Sequence, residues 1–204
     1  MIPQPHIIIF LGAILVVLGS TIAAVGGYIQ QKQQIDFERT TRTQLEETIK
    51  SVIGGDSYCY VSLEAGFGWI SNLTISCNGD YPMYDVFIRL YDPDDFTEMQ
   101  PRMNMEDFLK KDIFSADVGN IGVGSAKTFP MKRQVDMNGR DRKVFRAEIH
   151  ARNGFFQEDF ILKQVGNHWL RALRVFKGFS NDLVHEWADQ NFPRDNEGNI
   201  LWDN

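Results

Sequence analysis

The stretch 145-FRAEIHAR-152 decides the fold, because apolar and polar side chains alternate along it without a break. Phe145, Ala147, Ile149 and Ala151 would face one side of an extended chain, and the residues between them would face the other side. This is the pattern of a β-strand with one face on a core and one face in water. The sequence around it is therefore predicted to form an antiparallel sheet.

The same period of two recurs on both sides of this strand. Pairs such as Asn-Gly separate the alternating runs, and these pairs readily supply the positive φ that tight hairpins require. A short helix is predicted at 103–111, between the third and fourth strands. The eight predicted strands are 57–63, 69–77, 83–91, 112–118, 126–134, 143–152, 155–164 and 168–176.

This strand pattern resembles the sandwiches of immunoglobulin and fibronectin type III domains, which pack seven or more short antiparallel strands in two sheets. The fold class predicted for residues 56–178 is therefore an all-β, immunoglobulin/fibronectin-III-like antiparallel β-sandwich of about eight strands. The resemblance is one of pattern, because the Cys-Trp-Cys spacing of immunoglobulins is absent. Residues 179–204 are predicted as a C-terminal helix and tail, with Leu183, Trp187 and Phe192 packing on a sheet.

The segment 118-VGNIGVGSAKTF-129 has three glycines ahead of a Lys-Thr pair and therefore invites comparison with a phosphate-binding loop. Such a loop needs lysine directly after its last glycine and a helix behind it. Ser125 and Ala126 intervene before Lys127, and β-forming residues and a proline follow. We interpret the segment as a turn between two strands.

Residues 7–29 contain no charged side chain and exceed the roughly 20 residues that a helix needs to cross a bilayer. We predict a transmembrane helix there, after a short tail at 1–6. A cleaved signal peptide is the alternative, but residues 1–6 contain no Lys or Arg. Lys and Arg follow the apolar run and do not precede it, which predicts by the positive-inside rule that the C-terminal domain is cytoplasmic. The extracytoplasmic orientation is the alternative.

Small residues recur along one face of this predicted helix, at Gly12, Gly19, Ala23 and Gly27. Small residues at such spacing let two membrane helices approach closely, so the pattern predicts a homodimer; the alternative is that glycine is simply common in membrane helices. The stretch 30–53 lacks proline and glycine and is predicted as a helical stalk. Its incomplete heptads fit either a coiled coil or a single amphipathic helix.

Cys59 and Cys77 are the two cysteines of the chain. They share the apolar face of the first two predicted strands and would lie opposite each other in a hairpin. A cross-strand disulfide between them is one interpretation. Two buried, unbonded thiols are the other, and they are favoured if the domain is cytoplasmic.

Two acidic or histidine-containing segments are candidate metal sites. Asp92, Asp94, Asp95 and Glu98 follow a predicted strand, and carboxylate oxygens are the ligands that calcium prefers. Their spacing does not fit an EF-hand, so a solvated turn is the alternative. His185 and Asp189 are spaced i,i+4 in the predicted C-terminal helix, but the second histidine of a zinc-protease helix is missing. We predict no catalytic residue, no bound metal and no cofactor.

Aromatic side chains at Tyr58, Tyr60, Phe87 and Tyr91 fall opposite the predicted core faces and are predicted to form a protein-interaction surface. The net charge of −6 argues against a nucleic-acid partner. We therefore predict a non-enzymatic, single-pass membrane protein that contacts the lipid bilayer and binds a protein partner. The alternative is a membrane-tethered sensor that binds a small ligand or calcium and signals through the stalk.

Overall fold

The computed structural model describes residues 5–64, 69–97, 111–179 and 182–202. It contains two compact units, Met1–Ile49 and Lys50–Asn204. The first unit is occupied by helix α1, which runs from Pro5 to Ile53 and ends in the second unit. The predicted membrane segment and stalk are therefore parts of one continuous helix.

Helix α1 is the one helix among the described residues that is long and apolar enough to cross a membrane, judged by its length and composition. It begins at Pro5, within the predicted tail. It ends at Gly54 and Gly55, which both have positive φ, and the amide of Gly54 donates a hydrogen bond of 2.9 Å to the carbonyl of Lys50. Glycine at a positive φ is a common way to end a helix. The helix therefore ends where the stretch without glycine or proline, 30–53, ends.

The second unit is an antiparallel β domain. Each of the eight predicted strands is present, with ends that differ from the prediction by a few residues, and a ninth strand follows them. A short helix, α2, lies at Asp94–Thr97. The strands are β1 Tyr58–Leu63, β2 Trp69–Asn78, β3 Met83–Tyr91, β4 Phe114–Ile121, β5 Ala126–Asp136, β6 Arg142–Ala151, β7 Gly154–Val165, β8 His168–Lys177 and β9 Asp182–Ala188.

The nine strands form two sheets. The smaller has the order β1-β2-β5 and the larger has the order β4-β3-β6-β7-β8-β9. This arrangement is consistent with a β-sandwich. The immunoglobulin or fibronectin type III subtype is not confirmed, because the constant-type immunoglobulin domain has sheets of four and three strands whereas these have three and six.

The apolar faces of both sheets meet in one core. Strand β6 is buried at every second residue, as the alternation in 145–152 predicts. Phe145, Phe156 and Phe160 are the largest of its fully buried side chains. A second, smaller cluster lies on the opposite face of the larger sheet, where Phe192 and Ile200 of the C-terminal segment cover Ile161 and Ala172.

Two helices are predicted after the stalk, one in the C-terminal segment and one at 103–111. The predicted C-terminal helix is wrong, because 182–188 form strand β9 and pair antiparallel with β8. Leu183 and Trp187 have the i,i+4 spacing of a helix face, yet both are exposed on the edge strand. The predicted helix at 103–111 falls almost wholly on residues 98–110, which lie outside the described residues.

The glycine-rich segment ahead of Lys127 is a strand-to-strand turn between β4 and β5. The amide of Ser125 donates a hydrogen bond of 3.2 Å to the carbonyl of Gly122, which closes the turn. The ammonium group of Lys127 donates to the carbonyls of Val118 and Asn120, at 3.1 and 2.8 Å. The lysine therefore holds the two strand ends together, and the interpretation as a turn is confirmed.

Candidate functional site

A groove lies between strands β1 and β2 of the smaller sheet and strands β8 and β9 of the larger sheet. It has a volume of about 320 Å³. One wall comes from β1 and β2, and the other comes from β8 and β9. Its lining residues are Tyr60, Ser62, Ser76, Arg171, Leu173, His185 and Trp187. A second hollow of about 310 Å³ shares Arg171 and is also lined by Glu64, Leu162, Trp169 and Asp189.

Arg171 is the residue common to both hollows, and its position is fixed by several contacts. Its guanidinium makes two hydrogen bonds of 3.2 Å to the carboxylate of Asp189, and its backbone amide donates to the same carboxylate at 2.8 Å. The Nη1 atom lies 3.8 Å from Oε1 of Glu64. The guanidinium carbon also lies 5.4 Å from the ring centroid of Trp187, within cation–π range. The positive charge of Arg171 is therefore balanced by the carboxylates of Asp189 and Glu64.

The ring of His185 packs against the two tyrosines of β1. The ring centroids are 5.3 Å from Tyr58 and 5.5 Å from Tyr60. Burial lowers the pKa of His185 below its ordinary value, and burial also raises the pKa of Tyr58. Among the described residues, His185 makes no hydrogen bond to Ser62 or Ser76. The aromatic contacts therefore give His185 a packing role in the wall of the groove.

Strand β9 forms one edge of the larger sheet. Asp189 lies opposite Arg171 just beyond the end of β9, and its amide donates to the carbonyl of Arg171 at 2.8 Å. Hydrogen-bonded and non-hydrogen-bonded pairs alternate along an antiparallel ladder, so the backbone of Trp187 faces β8 and that of Glu186 faces outward. The amide and carbonyl groups of Glu186 therefore point away from β8.

The side chains of β9 are also exposed. Leu183 is 53% exposed and Trp187 is 40% exposed, and Val184 between them is exposed as well. Natural edge strands are commonly protected by charges, prolines or covering loops. Here apolar side chains and outward-facing backbone groups occur together on one strand beside the groove.

The predicted aromatic surface is divided between the two sheets. Tyr58 and Tyr60 lie on β1 of the smaller sheet and are half-buried against His185. Phe87 and Tyr91 lie on β3 of the larger sheet, where Phe87 contacts His150 and the hydroxyl of Tyr91 lies 3.3 Å from Glu148. The four residues therefore do not form one patch, and Tyr60 alone among them lines the groove.

The carboxylates of the candidate calcium site are paired with basic side chains. Asp92 is buried against Lys143, and Asp94 lies 3.5 Å from the same ammonium group. Asp95 pairs with Arg133. Glu98 lies outside the described residues. Nowhere in the part of the chain that the structure describes do three or more His, Cys, Asp or Glu side chains cluster as metal ligands would.

The His185–Asp189 fragment also has a different geometry from the predicted one. His185 lies in the middle of β9 against tyrosine rings, and Asp189 lies just beyond the end of the strand and is bound to Arg171. A strand separates residues four apart by about 13 Å, whereas a helix brings them onto one face. The helical spacing that suggested a zinc site is therefore absent.

Sequence reasoning did not identify Arg171, Trp169 or Ser76 as site residues. Arg171 occurs at an ordinary inward position of β8, and its importance comes from Asp189, 18 residues later in the chain. One signal was available in principle: the apolar phase of β8 places a charged residue on the same side as Leu173. A charged residue at a strand position that otherwise faces the core indicates that this part of the core is accessible to solvent.

Comparisons with family models, with curated proteins and with solved structures find no match to this chain. The long apolar helix joined to the β domain fits a single-pass membrane protein.

Proposed function

We propose that this protein is a membrane-anchored protein-interaction module whose β domain binds an extended segment of a partner protein along strand β9. The single observation that carries the proposal is the open edge of β9, with Leu183, Val184 and Trp187 exposed on it. An added strand would satisfy the outward backbone groups of β9, as in other proteins that bind peptides by strand addition.

The groove gives this binding mode a means of selecting its partner. In an added strand, alternate side chains face the same side of the sheet as Leu173 and Trp187. Those side chains would enter the hollow between β9 and β1, where Tyr60 and Ser62 form the opposite wall. Because the charge of Arg171 is balanced by Asp189 and Glu64, the groove favours neutral side chains, aromatic or hydroxyl-bearing, over charged ones.

Binding is proposed here in preference to catalysis. A nucleophilic serine needs a base within hydrogen-bonding reach, and the imidazole of His185 instead packs on tyrosine rings. The alternative function, a sensor for a small ligand, is supported by the volume of the groove, which is at the lower end of the range for small-molecule sites. The openness of β9 favours the protein partner.

A site-specific cross-linking experiment in cells tests the proposal. A photoreactive amino acid replaces Leu183 in the full-length protein, and Glu186→Pro removes one outward amide of β9 beside it. The matched control, Glu186→Ala, changes the same side chain but keeps the amide. We expect a discrete cross-linked partner with the parent protein and with Glu186→Ala, and its loss with Glu186→Pro. A cross-link that persists with proline would contradict strand addition.

The membrane helix contributes two further proposals. An added Cβ at Gly12, Gly19 or Gly27 would meet nothing within 4 Å among the described residues, so packing within one chain does not require glycine there. We propose that these glycines and Ala23 pack against a second copy, with the stalk as a coiled coil. The excess of Lys and Arg after the apolar segment supports a cytoplasmic β domain.

A further inference from the structure

Cys59 and Cys77 lie directly opposite each other in the antiparallel pair β1–β2. Both are free thiols, and they are 0% and 4% exposed. Cross-strand neighbours have their side chains on the same face of the sheet, so the two sulfur atoms share one part of the core. The register of β1 and β2 therefore brings the two cysteines next to each other.

Two hydrogen bonds identify the kind of pair that the cysteines form. The amide of Cys77 donates to the carbonyl of Ser125 at 3.1 Å, on the side of β2 that faces β5. The amide of Val61, two residues beyond Cys59, donates to the carboxylate of Glu158 at 2.6 Å and so points away from β2. Cys59 and Cys77 thus form a non-hydrogen-bonded pair.

In such a pair the Cα atoms are about 4.5 Å apart, and the side chains approach more closely than in a hydrogen-bonded pair. Disulfides span Cα separations of about 4.4–6.8 Å. The cysteines of this hairpin therefore have a backbone separation that a disulfide can bridge, and the neighbouring pair Tyr60 and Ser76 is of the hydrogen-bonded type.

The two thiols differ in their ease of ionisation. The hydrogen bond between them, together with burial, raises the pKa of Cys59, and the same hydrogen bond lowers the pKa of Cys77 to about 7. The thiolate is the nucleophile in thiol–disulfide exchange. Cys77 is therefore the more readily ionised thiol of the folded pair.

We propose that Cys59 and Cys77 are a redox modification site, a thiol pair that a disulfide-containing oxidant converts to a cross-strand disulfide. The oxidant is a small-molecule disulfide such as oxidised glutathione, or the disulfide of an oxidoreductase. The Cys77 thiolate attacks one oxidant sulfur and forms a mixed disulfide, which releases one thiol. The Cys59 thiol then loses its proton, attacks the sulfur of Cys77 and releases the second thiol.

The balance of this exchange is two electrons and two protons from the protein, with the oxidant disulfide reduced to two thiols. Because both sulfurs are buried, the oxidant gains access when the β1–β2 hairpin opens or before the domain has folded. The bond would link β1, which begins five residues after the end of α1 at Ile53, to the central strand β2 of the smaller sheet. This site is independent of the proposed partner binding.

The test compares the equilibrium constant for oxidation of the pair in the folded and in the unfolded protein. Full-length protein in detergent is equilibrated in buffers of reduced and oxidised glutathione, with and without denaturant, then quenched with acid and analysed by mass spectrometry. We expect folding to raise the constant about 100-fold, which corresponds to a disulfide stabilisation of about 3 kcal/mol. An equal or smaller constant in the folded protein would overturn the proposal.

A matched variant separates the geometry of the pair from its spacing along the chain. In a Cys59→Val, Cys77→Val background, Tyr60→Cys and Ser76→Cys place thiols on the adjacent hydrogen-bonded pair, in a loop of nearly the same length. We expect folding to raise the oxidation constant of this variant much less than that of the native pair. An equal rise in both would mean that chain proximity alone brings the thiols together, and would also overturn the proposal.

Discussion

Strands β1 and β9 are both edge strands, one in each sheet, and their environments are opposite. Every second residue of β1 is buried, whereas no residue of β9 is. The outward amide of Val61 in β1 is bound by the carboxylate of Glu158, a side chain that is 0% exposed. The outward amide of Glu186 in β9 has no such partner among the described residues.

The difference shows that one domain can contain both a protected edge strand and an exposed one. An edge strand with bare backbone groups tends to pair with other chains, and a carboxylate that binds such a group from inside the domain prevents this. β1 is closed in that way and contributes its side chains to the core. In β9, by contrast, Leu183, Val184 and Trp187 are exposed, and we propose that this strand binds the partner.

The largest expected difference between the strands comes from the same substitution made in each. Leu63→Ala in β1 removes a fully buried side chain and should lower the free energy of unfolding of the β domain by about 3 kcal/mol. Leu183→Ala in β9 should change it by less than about 0.5 kcal/mol. Denaturant unfolding of both variants measures the two values. A similar loss in both would show that β9 is part of the stable core.

The buried carboxyl that closes β1 should make stability depend on pH. Burial raises the pKa of Glu158 well above its ordinary value, although the hydrogen bond from Val61 acts in the opposite direction. An unfolded glutamic acid loses its proton near pH 4.3, about its ordinary pKa, whereas the folded protein keeps the proton to higher pH. The unfolded state then binds fewer protons, so the contribution of Glu158 to stability falls as pH rises through this window.

Glu158→Gln removes this titration while keeping an oxygen that can accept from Val61. We expect the stability of the variant relative to the parent to rise by about 1–3 kcal/mol between pH 4 and the pH at which folded Glu158 has ionised. Unfolding curves measured across the pH range give this difference. Parallel pH profiles for the two proteins would show that Glu158 ionises in the folded state as it does in water.

Strand β1 could be predicted from the sequence, whereas strand β9 could not. Strands β1 to β4 and β6 to β8 each contain buried residues, and β5 half-buries alternate residues from Lys127 to Met131. Burial of one face imposes the alternation that is visible in the sequence. Strand β9 buries neither face, so it has no alternation, and the i,i+4 spacing of Leu183 and Trp187 favoured a helix. Strands that pack one face on the core can therefore be recognised by alternation in the sequence, whereas the exposed strand β9 shows no such alternation.

The candidate site was less predictable than the fold for a related reason. The groove joins residues of β1 and β2 to residues of β8 and β9, which are more than 90 residues away in sequence. Only Tyr60 had been placed on a predicted surface, and His185 had been assigned to a helix. Which strands lie beside each other is decided by the order of the sheets, and periodicity along one strand contains no information about that order.

The ion pair between Asp189 and Arg171, at the end of β9, is expected to contribute modestly to the stability of the β domain. Asp189→Asn weakens the two hydrogen bonds to the guanidinium of Arg171, and both side chains are partly exposed. We expect a loss of about 1 kcal/mol in the free energy of unfolding, and a smaller loss at high salt. The control is Asp195→Asn, in the C-terminal segment away from Arg171. A loss independent of salt would mean that Asp189 acts through its hydrogen bond to the Arg171 amide.

The smallest expected effect comes from Glu186→Pro, and it tests the direction of the β9 backbone. Proline removes an amide proton, which matters little where that proton faces solvent at a sheet edge. We therefore expect Glu186→Pro to lower the free energy of unfolding by less than about 1 kcal/mol relative to Glu186→Ala. Trp187→Pro, one residue later, removes a hydrogen bond to β8 and should cost clearly more than Trp187→Ala. If both prolines cost the same, β9 is not held in the register that leaves its outer edge free, and the strand cannot accept a partner in the way proposed.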